Sequence, residues 1–267
     1  MIIEIENTSS PGASFTMNTN EVLLKTYEWI CENRGVSLPF KEFRMRLQSE
    51  KGVNDNNNRN IYPLLKNGGL VSYENRGDLF VEEFYTKQGL AYVKTIETTK
   101  LIINADYSEE KKDEAIEKLA IVQQGIICDA LLKIVVNKKL NYVEPFQNLI
   151  KFLLRFDKIN KVEFAYLIYI MQACEVDEAL ENMRDDVCMY RCGELDIEVR
   201  VKVRNDINLR EKTKSNRRKE GLGFLTSFGY FASLLMQAGL VEKKDGYYCT
   251  ITGKEKTLEK LGGVLSE

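Results

Sequence analysis

Apolar side chains recur every three or four positions over Phe40, Phe43 and Leu47, and again over Ile61, Leu64 and Leu65, and then stop at Gly68-Gly69. The spacing predicts two helices with one buried face each. The glycines predict where the second helix ends, because glycine enters the left-handed conformation without a Cβ clash. The period then changes. Leu70-Val71-Ser72-Tyr73 predicts a strand, Asn75-Arg76-Gly77-Asp78 a turn, and Leu79-Phe80-Val81 with Phe84-Tyr85 a returning strand. Thr86 is placed to cap a following helix that carries Leu90, Val93 and Ile96.

The same order returns late in the chain. LLKNGGLV at 64–71 matches LLMQAGLV at 234–241, and each octet is followed by an aromatic residue and Thr-x-x-Gly, Thr86 to Gly89 in one copy and Thr250 to Gly253 in the other. The first copy has six more residues between octet and tail. Repetition of this kind means two copies of one supersecondary unit. Helix, glycine stop, hairpin and Thr-started helix form the pattern of a winged helix-turn-helix, whose helix before the glycine stop enters the major groove of DNA. A helix–hairpin unit that packs a core or binds protein carries the same pattern, so both readings stay open at this point.

The residues beside each octet add chemistry. Basic residues, Arg44 and Arg46 among them, lie between the apolar positions of the helix at 40–47. Asn56, Asn57, Asn58 and Arg59 fall where the leading turn of the recognition helix is expected, and Asn pairs bidentately with adenine as Arg does with guanine. An Asn cluster also suits a helix cap or a loop. Before the second octet, residues 200–219 hold nine Lys or Arg against two acids, in a chain whose formal net charge is −2; six acids at 175–186 offset them. Segregation of this sort marks an electrostatic footprint on an otherwise neutral protein, although a basic run can equally be a solvated loop. Lys212, Lys214, Arg217, Arg218 and Lys219 are the candidate phosphate contacts. Ser227 and Tyr230, on the helix expected at 223–237, are the candidate groove-facing residues.

Residues 101–190 read as helical, with Ala115, Leu119, Val122, Ile126 and Ile127 on one face. A helical pair at 148–156 and 161–171 resembles the core of a third helix-turn-helix, with Pro145 suited to its first turn. Residues 7–20 read as a loosely attached leader. The sequence predicts a mainly α protein with small antiparallel β wings: a flexible leader at 1–20, a first winged-helix domain at 21–100, a helical middle region at 101–190 and a second winged-helix domain at 191–267. No apolar run is long enough to span a bilayer, and no signal-peptide pattern opens the chain. Six scattered cysteines suit reduced thiols in the cytoplasm.

The absence of histidine excludes His-dependent triads and imidazole general bases. It also leaves the close pair Cys188 and Cys192 without the further ligands a zinc site needs. Two acids and a lysine could still hold Mg²⁺ and polarise water. Asp185 or Asp186 followed by Glu198, Arg200 and Lys202 is the nearest arrangement, with Asp186, Glu198 and Lys202 as the weak catalytic candidates. Alternation puts Glu198, Arg200 and Lys202 on one strand face, as it would in a simple polar edge strand. An always-charged Arg where a Lys is wanted argues against catalysis.

The order of LLKNGGLV, the Thr-x-x-Gly exit, FQNLIKFLLRFDKINKVEFAYLIYI and the basic segment leading into LLMQAGLV resembles the DNA-recognition region of AlwI-type and related type IIS restriction endonucleases. The resemblance covers roughly 40–261 and implies winged-helix subdomains that read an asymmetric site in double-stranded DNA. In that family a separate C-terminal nuclease domain cuts nearby, and this sequence ends at Glu267, just after the second wing helix. Binding, without a cofactor, is therefore the expectation. A separate nuclease domain or subunit would be the partner, and Mg²⁺ enters only with a nuclease activity. A transcriptional regulator or replication initiator, a protein-interaction module and a small complete nuclease are the competing readings.

Overall fold

The segment expected as a loose leader is built into the fold. Strand β1 (Ile2–Glu6) alternates buried Ile3 and Ile5 with exposed Ile2, Glu4 and Glu6, as a half-buried strand must. Ala13, Ser14 and Phe15 are also buried, and the Thr16 hydroxyl caps α1 (Met17–Glu32) by accepting from the Thr19 amide. The structure, a computed structural model, describes residues 1–74, 77–202 and 222–264, without the side chains of 55–58, 202 and 224. It is mainly helical, with small sheets. No helix among the described residues is long and apolar enough to cross a membrane.

The chain divides into two units. One holds residues 11–140 with 233–239, and the other 1–10, 141–232 and 240–267. In the first, α1 is followed by β2 (Ser37–Pro39), α2 (Phe40–Lys51) and α3 (Asp55–Asn67). Phe40, Phe43 and Leu47 form the buried face of α2, as their spacing predicts. They join Trp29, Tyr62 and Phe84 in an aromatic core, with the Trp29 and Phe43 rings 5.4 Å apart and the Phe40 and Tyr73 rings stacked at 3.9 Å. Gly69 ends α3 in the left-handed conformation at φ 70°. Its amide bonds to Lys66 O, and the Leu70 amide reaches back to Leu65 O. The chain then bridges Val71 to Tyr85, and β3 (Asp78–Phe80) pairs antiparallel with β2. A short 3-10 turn at Val81–Glu83 interrupts the return and accounts for part of the longer hairpin of this copy. Helices α4 (Lys87–Asn104) and α5 (Glu109–Val135) complete the unit. Thr86 caps α4 by accepting from the Gly89 amide. Only Ile127 of the face expected on α5 is buried, and Val122 is half exposed.

The second unit repeats the order with an insertion. Helix α6 (Val143–Phe156), strand β4 (Lys158–Ile159) and helix α7 (Lys161–Ile170) come first. Helices α8 (Val176–Asn182) and α9 (Arg184–Cys192) and strand β5 (Glu198–Lys202) follow. Then come α10 (Thr226–Gln237), whose last residues, 233–237, are assigned to the first unit, β6 (Val241–Lys244), β7 (Tyr247–Thr250) and α11 (Glu255–Gly262). The sheet order is β4-β7-β6, so β4 lies against the returning strand of the hairpin as β2 lies against β3. Helices 143–156 and 161–170, expected as a separate middle core, are therefore the leading half of the second copy. Helices α2 and α3 are joined by three residues, 52–54, whereas α7 and α10 are separated by 171–225. The hairpin β6–β7 turns through Asp245 and Gly246, both at positive φ (51° and 82°), as the tightest antiparallel turn requires. Gly239 stops α10 at φ 66°, bonding to Met236 O, which matches Gly69.

Two features tie the inserted residues to the module. β5 runs parallel to β1, with Ile3 beside Val199 and Ile5 beside Val201, so apolar meets apolar on the buried face, and Glu4 beside Arg200 on the other. On α9, Arg191 bonds through Nε to the carboxylate of Glu163 at 2.6 Å and through its other nitrogens to the carbonyls of Phe156 (3.1 Å) and Lys158 (2.6 Å). Glu163 is 1% exposed and also accepts from the Asn160 amide, closing a capping box at the start of α7.

Removing one partner of a buried, fully bonded ion pair strands the other. Arg191→Ala is therefore expected to cost about 3–5 kcal/mol in urea unfolding, and Arg191→Lys to recover only part of it. The two tail glycines separate by mechanism. A Cβ on Gly89 would fall 1.8 Å from Leu70 O, whereas Gly253, at φ 85°, has open space around it. Gly89→Ala should then cost about 3 kcal/mol or more. Gly253→Ala should cost only about 1–2 kcal/mol for the backbone conformation, measured the same way.

Candidate nucleic-acid interface

Helix α3 buries Ile61, Tyr62, Leu64 and Leu65 and turns Arg59 and Asn60 outward. Asn56, Asn57 and Asn58 occupy its first turn, as the sequence predicts; their side chains lie outside the described residues. The α3 surface thus carries an Arg and an Asn beside the leading turn, the residue types that read guanine and adenine edges. The helix is held in place from behind. The Tyr62 hydroxyl shares a 2.8 Å hydrogen bond with Thr26 Oγ1, and burial pushes the Tyr62 phenol well above its ordinary range, so it stays neutral.

The basic residues of α2 have local company. The Arg44 guanidinium is half-buried and sits 5.6 Å from the centre of the Phe40 ring. Arg46 is engaged by Glu42 one turn back, with its Nη2 2.7 Å and its Nε 3.1 Å from the carboxylate. An exposed pair of this kind is worth about 0.3–0.5 kcal/mol, so a phosphate could exchange for Glu42 at little cost. Sequence reasoning passed over Lys66, whose ammonium lies 4.7 Å from the Tyr73 ring centre and donates to Tyr73 O. It also passed over Phe80, 57% exposed on β3. Their place at the hairpin that follows α3 was the signal that could have found both.

The second copy departs from expectation. Ser227 is fully buried, accepts from the Thr8 hydroxyl at 2.7 Å and donates to Asn7 Oδ1 at 3.4 Å, while Thr226 accepts from the Asn7 amide at 3.4 Å. The segment at 7–8 therefore covers the leading end of α10, and Ser227 does not face a groove. The reason is the apolar period: Leu225, Phe228 and Phe231 are buried, with Phe228 packed on Phe164 and Phe231 on Phe146. Tyr230 is half-exposed. Gly229 and Met236 are exposed, so the outward face of α10 carries no charge. Lys212, Lys214, Arg217, Arg218 and Lys219 lie outside the described residues. The β6–β7 hairpin exposes Lys243 and Lys244, with the Lys243 ammonium 5.9 Å from the Tyr248 ring centre.

The weak catalytic candidates are separately engaged. Asp186 accepts a hydrogen bond from the Tyr166 hydroxyl, and burial together with that bond pushes the Tyr166 phenol above its usual range. Glu198 bonds to Arg200 at 3.1 Å on the exposed face of β5, and Lys202 ends the strand with its side chain outside the described residues. Among the described residues, no group of three or more Cys, Asp or Glu side chains is placed to hold a metal ion. The six cysteines form no disulfide, and Cys188 and Cys192 are exposed on α9. Comparison with family models, with curated proteins and with solved structures finds no match to this chain.

Ser227→Ala leaves the Thr8 hydroxyl without its partner. It is expected to lower stability by about 1–2 kcal/mol in thermal unfolding.

Proposed function

We infer that this chain is a sequence-specific double-stranded-DNA-binding protein built from two winged helix-turn-helix modules, in which α3 of the first module enters the major groove. The observation that carries the reading is the doubled order of helix, strand, helix, helix and hairpin, together with Arg59 and Asn60 on the outward face of α3. Arg44, Arg46, Lys66 and the wing lysines Lys243 and Lys244 supply phosphate contacts, as do Lys212, Lys214, Arg217, Arg218 and Lys219.

The two probes are unlike. The first carries Asn and Arg on an open helix face, whereas the leading end of α10 is bonded to Asn7 and Thr8 and the second copy offers its hairpin lysines instead. A single chain with unlike probes reads a site without two-fold symmetry, which suits the recognition part or subunit of a type IIS-like restriction endonuclease better than a palindrome-binding regulator. The nuclease then resides in a partner domain or subunit, and the work is done in the cytoplasm.

Selection of bound duplexes from a random library, repeated with Mg²⁺ to look for cleavage, tests this reading. Recovery of one non-palindromic motif is expected, and recovery of no motif overturns it. On that motif, Arg59→Ala should cost about 1–3 kcal/mol of binding and relax one position. Replacing Arg217, Arg218 and Lys219 with Ala should weaken binding uniformly across sequences and flatten the salt dependence, both read by fluorescence anisotropy.

A further inference from the structure

Between α6 and α7 of the second unit lies a cavity of about 180 Å³. Phe164, Leu167, Ile168 and Met171 line one side, and Asn148 and Thr8 bring polar groups to it. Asn148 is 8% exposed, and its carboxamide makes no hydrogen bond to any described residue. The amide atoms are therefore open to this mostly apolar space, which presents a donor and an acceptor side by side to whatever occupies it. Thr8 is already oriented, because its hydroxyl hydrogen goes to Ser227 and its oxygen is left to accept. Exposed Glu144 stands at the same cavity.

We propose that this cavity binds a small planar nitrogen heterocycle, of nucleobase size, that presents an adjacent hydrogen-bond donor and acceptor to Asn148. Size and polarity narrow the class. The volume is below the roughly 300–1,000 Å³ of drug-sized sites, so it holds a single ring system. A purely apolar occupant would leave the Asn148 amide unpaired and would bind on the order of tenfold to a hundredfold more weakly. The Asn carboxamide matches a base edge bidentately, the apolar lining suits a flat ring, and Glu144 favours an N–H-rich or cationic rim on the ligand. The site stands apart from the DNA-binding reading, since its ligand is measured with no duplex present.

Calorimetry and thermal shift on the full chain, with adenine, hypoxanthine, cytosine, uracil and nicotinamide each at about 1 mM, test the proposal. At least one of these is expected to bind and raise the Tm, with toluene much weaker and the Asn148→Leu affinity at least about tenfold lower. Should Asn148→Leu not fold, Met171→Trp, which fills the cavity, is expected to abolish the same binding. Adenosine run beside adenine separates a free base from a base carried on a nucleoside, the tighter binder marking the source. Absence of binding by every heterocycle overturns the proposal, as do unchanged affinity in both variants, toluene binding equally well, or a crystal soaked with the panel that shows only ordered water at Asn148.

Discussion

The second module depends on bringing residues 143–170 against 226–262 across an insertion of some fifty residues. Closing that loop rather than the three-residue link of the first copy costs about 2–3 kcal/mol in chain entropy. The two-residue strand β4, paired with β7, is too short to offset this by itself. The contacts of Phe228 with Phe164 and of Phe231 with Phe146 do so, since burying each such ring is worth about 1.5–3 kcal/mol. Leu149, Leu153, Leu258 and Leu261, all fully buried on α6 and α11, extend the same core.

The insertion is in turn made part of the module. Arg191 joins α9 to the buried Glu163 and to the turn before β4, so the start of α7 is fixed by a residue far along the chain. Strand β5 pairs with β1, and the segment leaving β1 reaches the first turn of α10 through Asn7 and Thr8. As a result Ser227, in the first turn of α10, is buried beneath this segment. The two copies therefore differ in what they leave open: helix surface in the first, the β6–β7 hairpin in the second.

Local chemistry was legible in the sequence. The buried face of α2, the glycine stops of α3 and α10 and the Thr86 cap each rest on residues within a few positions of one another, and each is found where it was expected. What depends on distant partners was not legible. Residues 1–6 read as part of a loose leader because the partners of Ile3 and Ile5, Val199 and Val201, lie nearly two hundred positions on. The helices at 143–170 read as a separate core because nothing local says that β4 pairs with β7. Ser227 sat at a plausible contact position, and only the burial of Leu225 and Phe228 beside it reveals its inward direction. The matched Thr-x-x-Gly tails also hide a difference: Gly89 gives way to a carbonyl, while Gly253 serves a left-handed turn.

The central claim is that the outward face of α3 meets base edges in duplex DNA. Photocrosslinking of the chain to a bound duplex carrying halogenated pyrimidines, with the attached peptides mapped by mass spectrometry, addresses it most directly. The account expects crosslinks at 56–60, in the leading turns of α3. Crosslinks confined to other helices, or none from a duplex that is demonstrably bound, would contradict it.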